Sequence, residues 1–362
     1  MKIKNFPNIT LFVTICILIV IGILALATSS VPLSMKVTNN PNYYLFHQLL
    51  WGLLPGLLLG FVAFKIPLHN LKKWSLPIFI GAYILMLLVF VPALSKTELG
   101  ATRWLSLGFF GSLQPSEVLK IAMIIYLAAI LNNEKQRRKF ISFIIISGLV
   151  FFSLFLQNDM GTLIALFSIA FIMFFCSKTP IKQTLMIFFT ALAGFIGLIF
   201  IAPHRIERLY TYLHPGTDTL GVGYHINQAL ISVGSGGLFG SGLGFSIQKF
   251  GFLPQSISDS IFAIFAEETG FAGCLVLIIL FLIFFYSSLS IARRINDEYL
   301  RLLVIGIGSW IIVQAFVNIG AMLNLVPLTG IPLPFISYGG SHLIAELIGC
   351  GMLLNASLHA KG

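Results

Sequence analysis

The chain has 362 residues, of which only 9% are charged and 57% hydrophobic, with a mean hydropathy of +0.97. Soluble domains carry about 25% charged residues, so this composition excludes a soluble globular domain. It calls instead for an all-α polytopic membrane protein, one bundle of roughly ten spans at about 20 apolar residues each.

The N-terminus has Lys2 and Lys4 before an apolar run from Ile9 to Ala27, which imitates a signal peptide. The run is longer than a typical h-region and many like it follow, so it reads as an uncleaved first span, near 9–29. Further apolar runs predict spans near 44–64, 74–93, 115–131, 140–157, 161–177, 184–202, 261–291, 302–323 and 340–357, with both termini on one side. With that side cytoplasmic, 15 of the 22 Lys and Arg residues fall inside, among them Lys65, Lys72, Lys73, Arg293, Arg294 and Arg301. This satisfies the positive-inside rule. The net charge of +10 is then a matter of topology, and nucleic-acid binding has no support. Nine of the twelve acids lie in outer loops or spans, which directs the search for chemistry outward. Residues 203–260 form one long outer segment and 324–340 a second, rich in Pro and Gly. Long structured loops in compact proteins are usually functional. Cys16, Cys176, Cys274 and Cys350 all sit in apolar runs without zinc-like spacing and imply no disulfide framework.

In chain order, the first chemical stretch is GATRWLSLGFFGSLQPSEVLKIAMIIYLA, 100–128. Pro115 and Glu117 suit a helix start, with Glu117 complementing the positive end of the dipole. Lys120, three residues on and inside the membrane, is not explained that way, because a lone ammonium there costs at least about 2.5 kcal/mol. A functional or paired role for Glu117 and Lys120 follows. QNDMGTL, 157–163, puts Asp159 between two apolar runs, where a tight turn and a site are equally good readings.

In the long outer segment, Arg205 and Arg208 lie three apart, suited to one face of an interfacial helix, where they could hold pyrophosphate or lipid headgroups. The glycines that follow never fall into the GxGxxG register. Gly236, Gly240 and Gly244 instead have small-xxx-small spacing for close packing, most simply in a re-entrant or interfacial lining. In LPQSISDSIFAIFAEETGFAG, 253–273, Ser256 and Asp259 fit an S-x-x-D capping box at the start of the eighth span. A cap does not explain Glu267 and Glu268, which must face the bundle interior, so a functional carboxylate is expected here. VPLTGIPLPFISYGGSHLIAEL, 326–347, is apolar yet broken by three prolines and a Gly-Gly pair. Such backbone at membrane depth lines a cavity. Glu346 beyond it could pair with a basic residue or His342. No span holds HExxH, paired Cys or clustered His, so structural zinc is not expected. Carboxylates could hold a divalent cation, Mg²⁺ or Mn²⁺, and no organic cofactor is called for.

Five stretches in order, GATRWLSLG with QPSEVLKI, DMGT, GSGGLFGSGLG leading to LP and DSIFAIFAEETG, and TGIPLPFISYGGS, resemble the SEDS family of shape, elongation, division and sporulation proteins. The resemblance covers essentially the whole chain as a single domain, 1–362, and leans to the FtsW side rather than RodA. It implies a peptidoglycan glycosyltransferase that polymerises lipid II at the outer face of the bacterial cytoplasmic membrane. The implied partner is a class B penicillin-binding transpeptidase, with other divisome or elongasome membrane proteins. Asp259 matches the family's essential outer-loop aspartate. Glu117 with Lys120 matches the polar pair of the fourth span, Asp159 the acid of its PDxGT motif, and Arg103 with Trp104 the end of the second outer loop. Ser337 and Tyr338 belong to the matching TGIPLPFISYGGS stretch.

Asn158 stands where the family has Pro, and Gln255, Ile257, Ser258 and Ser260 replace typical neighbours of the aspartate. Inverting transfer from a sugar pyrophosphate needs a base, for which Asp259 is expected. It also needs stabilisation of the leaving group, for which Arg103, Arg205, Arg208, Lys120, Lys249 or a divalent metal would serve. The rivals are a lipid II flippase and a non-catalytic scaffold that activates a partner synthase.

Overall fold

Apolar runs become helices wherever a span is expected. In the computed structural model, which describes residues 7–98, 101–106, 112–132, 136–201, 206, 210–214 and 221–360, these are α1 (Ile9–Ser29), α3 (Tyr43–Lys65, with a π-helical turn over Leu49–Leu53), α5 (Ser75–Leu87), α6 (Pro115–Leu131), α7 (Gln136–Leu156), α8 (Met160–Phe175), α9 (Ile181–Ile201), α11 (Ile261–Arg294), α12 (Glu298–Met322) and α13 (Gly340–Ser357). Between them lie α2 (Val31–Thr38), α4 (Leu68–Lys73) and α10 (Val222–Ser235). Asn8 and Asp297 cap α1 and α12 by accepting from the N–H groups of Leu11 and Leu300, both at 2.9 Å. Among the described residues, five helices are individually long and apolar enough to cross a bilayer: α1, α3, α7, α11 and α12. Large apolar side chains such as Phe61, Phe152 and Val276 are exposed on the outside of the bundle, as a lipid-facing surface requires.

The centre is α12, buried along almost its whole length, with Tyr299 and Trp310 fully enclosed. It packs on α6, α8 and α11. α13 runs closely along α3, because a Cβ on Gly351 would stand 2.1 Å from the Gly60 carbonyl oxygen and one on Gly60 2.7 Å from that of Leu347. Only glycine permits backbones at that distance.

The architecture departs from the sequence expectation in two places among the described residues. The all-α bundle carries a small antiparallel sheet, β1 (Ser95–Glu98), β2 (Ala101–Ser106) and β3 (Ser112–Leu113), which holds Arg103 and Trp104. The eighth span is also not continuous. Gly270 (φ 66°, ψ −168°) breaks α11, and the stretch from 271 to 294, about 36 Å at 1.5 Å per residue, suffices to cross a core of about 30 Å. The backbone groups freed by the break are bonded by the glycine-rich loop. Ser241 and Gly242 N–H groups donate to the carbonyls of Glu267 (2.9 Å) and Glu268 (3.1 Å), and Phe271 and Ala272 donate to those of Gly237 (2.9 Å) and Leu238 (3.0 Å).

Candidate active site

Asp259 lies in the turn before α11 and is half-buried. The expected capping box does not form. α11 begins at Ile261, and the residue before it is Ser260, whose hydroxyl donates to the Pro254 carbonyl (2.8 Å) and meets His225 Nε2 at 2.6 Å. The Asp259 carboxylate is therefore not spent on the helix. Its Oδ1 accepts from the Ser258 hydroxyl at 3.2 Å, and Oδ2 faces Gly330, where a Cβ would stand 3.7 Å away. Among the described residues no Lys or Arg pairs with it. Burial pushes its pKa up to about 6, against the opposing pull of hydrogen bonds from its own backbone N–H, the Ser258 hydroxyl and the Ser260 N–H.

Three bonds fix the turn that carries Asp259. Asn318 Nδ2 donates to the Asp259 carbonyl (2.7 Å), Ser337 Oγ to that of Ser258 (2.5 Å), and the Tyr338 N–H to that of Ile257 (2.8 Å). Ser337 and Tyr338 thus act by holding the backbone. The Tyr338 hydroxyl lies 2.9 Å from His47 Nδ1.

Glu117 and Lys120 form a buried ion pair at 2.7 Å, each side chain 2% exposed. Lys120 also donates to Gln314 Oε1 (3.0 Å) and lies 5.1 Å from the centre of the Trp310 ring. Gln314 accepts from Trp310 Nε1 (2.8 Å) and donates to the Pro332 carbonyl (3.0 Å). Glu346 accepts from the Phe335 N–H at 2.9 Å, while its expected partner His342 stands 4.0 Å away.

Asp159 turns out to be both cap and ion-pair partner. Its Oδ1 accepts from the Thr162 N–H (3.3 Å) at the start of α8 and lies 3.7 Å from Arg103, which donates to the Asn158 carbonyl (2.5 Å). Gly161 in the next turn abuts the second outer loop, since a Cβ there would meet the Thr329 carbonyl oxygen at 2.5 Å.

Glu267, Glu268 and Lys249 do something other than face a ligand. Glu267 accepts from the hydroxyls of Ser232 (3.1 Å) and Ser246 (2.5 Å) and from the Ile247 N–H (2.8 Å). Glu268 accepts from Thr28 Oγ1 (2.7 Å) and pairs with Lys249 at 3.0 Å. Lys249, expected among the groups for pyrophosphate, is corrected to a buried strut, its ammonium shared between Glu268 and the Gly244 carbonyl (2.6 Å). Of the three glycines at small-xxx-small spacing, Gly236 and Gly240 pack against the α11 backbone, whereas Gly244 has open space and a φ of 85°. Arg205 and Arg208 lie outside the described residues. Sequence reading missed Asn318, Gln314 and His225. The first two were findable as amides inside an apolar span, where unpaired polar groups are costly.

The Asp159, Asp259, Lys120 and Glu346 contacts meet on residues 329–338. Thr329 abuts the Asp159 turn, Gly330 faces the Asp259 carboxylate, Pro332 bonds the Lys120 network, Phe335 bonds Glu346, and Ser337 and Tyr338 hold the Asp259 turn. The result is a partly desolvated carboxylate on a rigid mount, with no cationic partner among the described residues and an ion-paired arginine on the same side of the bundle.

The family model FTSW_RODA_SPOVE, described as "Cell cycle protein", matches residues 9–362. The chain is 34% identical to a "Probable peptidoglycan glycosyltransferase FtsW" of Geobacter sp. (strain M18), over 100% of this chain and 99% of that one. It is 35% identical to "Stage V sporulation protein E" of Bacillus subtilis (strain 168), over 99% of both. In fold it resembles a chain of a solved peptidoglycan synthase complex, with TM-score 0.81, 24% identity and 97% of each chain covered. It also resembles the rod shape determining protein RodA of Thermus thermophilus, with TM-score 0.72, 24% identity, 97% of this chain and 96% of that one covered. The chain belongs to the FtsW/RodA/SpoVE family of cell-cycle proteins.

Proposed function

We propose that the protein is a peptidoglycan glycosyltransferase that polymerises lipid II, with Asp259 as the general base. The observation that carries this is the Asp259 carboxylate: half-buried, without a cationic partner among the described residues, and raised to about 6. A base with that pKa is ionised at neutral pH yet more basic than an ordinary carboxylate, which is what proton abstraction from a sugar hydroxyl uses. In the step, the acceptor 4-hydroxyl oxygen bonds to the anomeric carbon of the donor, and its proton passes to Asp259. The anomeric carbon–oxygen bond to the lipid pyrophosphate breaks with inversion, and the pyrophosphate leaves with the electron pair.

Arg103, a quarter exposed and tied to Asp159, is the described cation suited to the pyrophosphate, with Arg205 and Arg208 as further candidates. Lys120 instead supports the second loop, because Glu117 and Gln314 occupy it. Among the described residues no three His, Cys, Asp or Glu side chains group to cage a metal. The basic residues Lys65, Lys72, Lys73, Arg293 and Arg294 support a cytoplasmic placement of both termini, with Asp259 on the outer side. The catalytic part is the loop near 203–260 with the second loop at 324–340, and the partner is a single-pass class B penicillin-binding transpeptidase.

The test is purified protein with lipid II and the transpeptidase, assayed for glycan chains with and without Asp259→Ala. Loss of polymer with an intact fold is expected. Polymer unaffected by the substitution overturns the assignment, and transbilayer movement of lipid II without polymer would favour a flippase.

A further inference from the structure

Residues 236–253, GGLFGSGLGFSIQKFGFL, have inverted polarity for a loop facing water. Lys249, the one charged side chain in the stretch, is buried against Glu268, and Ser246 is buried against Glu267. Facing outward instead are Phe239 (83% exposed), Phe245 (74%), Leu243, Ile247, Phe250 and Phe252. Soluble surfaces seldom gather so many large apolar side chains without a ligand or partner.

The loop's depth is fixed. Its four backbone hydrogen bonds to residues 267–272 tie it to the point where the spanning part of α11 begins. From there the exposed side chains continue directly into those of Phe271, Leu275 and Val276, on the lipid-facing side of α11. Protein interfaces gather Arg along with aromatic residues and are ringed by polar and charged groups. This stretch has no Arg and exposes no charged side chain.

We propose that residues 238–252 are seated in the bilayer, their Phe, Leu and Ile side chains inserted among the lipid acyl chains of the leaflet next to α11 on the loop side. The loop is a monotopic foot on a polytopic protein. Its inward polar groups are bonded within the protein, so insertion strands no charge. With no exposed cation, the attachment is apolar and indifferent to headgroup charge and salt, unlike basic amphipathic anchors. It stands independently of the catalytic role of Asp259.

The test uses the full chain in phosphatidylcholine nanodiscs, with Cys16 and Cys176 changed to Ala and a fluorescent thiol label placed by Phe239→Cys, Phe245→Cys or Phe250→Cys. Leu275→Cys marks the lipid-facing surface and Asn40→Cys the aqueous one. The expected result is quenching by lipids brominated on the acyl chains at the level of Leu275→Cys, with iodide quenching about fivefold weaker than at Asn40→Cys. Neither value should move as much as twofold with added salt or anionic lipid. Free quenching by iodide in the protein alone, whether or not a transpeptidase later shields the labels, overturns the proposal. Hydroxyl-radical footprinting of the unmodified protein reads the same surface without substitution. Protection of the three phenyl rings is expected in nanodiscs, and oxidation at the rate of exposed loop residues would refute insertion.

Discussion

The buried Glu346 carboxylate accepts the backbone N–H of Phe335 at 2.9 Å, and Phe335 sits in the left-handed region at φ 64°. Two and three residues later, Ser337 and Tyr338 grip the Asp259 turn, so a side chain in α13 sets a bend that ends at the proposed base. Removing the acceptor leaves a buried N–H unbonded, at about 1–3 kcal/mol. Glu346→Ala is expected to lower the thermal unfolding midpoint in detergent and to slow polymerisation. Glu346→Gln keeps an acceptor oxygen and should restore most of both. Equal loss in the two variants would show that the carboxylate's charge, not its hydrogen bond, matters.

Asp259 offers a test by pH. Its carboxyl is raised in the folded protein, from 3.8 to about 6, so its protonated form favours folding. That stabilisation is complete below about pH 4 and is lost as pH rises through 6. Asp259→Asn, which cannot ionise, should therefore be more stable than the parent at pH 8, by roughly 1–2 kcal/mol after allowing for partial exposure, and equally stable at pH 3.5, as read from the unfolding midpoints. In the parent, polymerisation rate should fall about tenfold per unit below pH 6, as the base is protonated. A flat profile from pH 5 to 7 would rule out this carboxylate as the base.

The Glu117–Lys120 pair predicts a strongly coupled double-mutant cycle. Lys120→Met alone leaves a buried, uncompensated carboxylate and should cost about 3–5 kcal/mol. Adding Glu117→Gln removes that charge and should recover a large part of the loss, read from unfolding midpoints of the four proteins. Additive losses would mean that the two side chains do not share their environment as the 2.7 Å contact indicates.

Gly240 has a φ of 82°, and a Cβ there would lie 2.1 Å from the Glu268 carbonyl oxygen. Gly240→Ala should destabilise by well over the roughly 1 kcal/mol that an ordinary Gly-to-Ala change gains in a helix. Gly81→Ala, mid-helix in α5 with nothing within 4 Å, is the matched control and should be neutral or stabilising. Comparable melting of the two variants would contradict the tight seam between the loop and α11.

The helices were legible because long apolar runs leave few alternatives to a span. The family's residues were legible as motifs, but their work was not. Ser256 and Asp259 have capping-box spacing, yet the chain places Ser260 before the helix, because its hydroxyl is taken by the Pro254 carbonyl. Lys249 looks like a phosphate ligand until Glu268, 19 residues away, claims it. Glu267 and Glu268 had no readable role because their partners, Ser232, Ser246 and Thr28, come from other elements. The sheet at 95–113 was missed because its strands are too short for alternation to show. For Lys249, Glu267 and Glu268 a partner from another segment decides, and local spacing does not record it.

The break at Gly270 has a mechanical meaning. Residues 261–269 are a short arm whose far end adjoins Asp259, whose near end pivots on a glycine, and whose side is laced to the 237–242 loop by backbone hydrogen bonds. The loop is bonded on both sides of the pivot, to residues 267 and 268 of the arm and to 271 and 272 of the span, so it splints the joint and holds the arm at one angle to the span. The proposed base is thereby registered to the spanning helix through a splint of four backbone hydrogen bonds in place of a continuous helix.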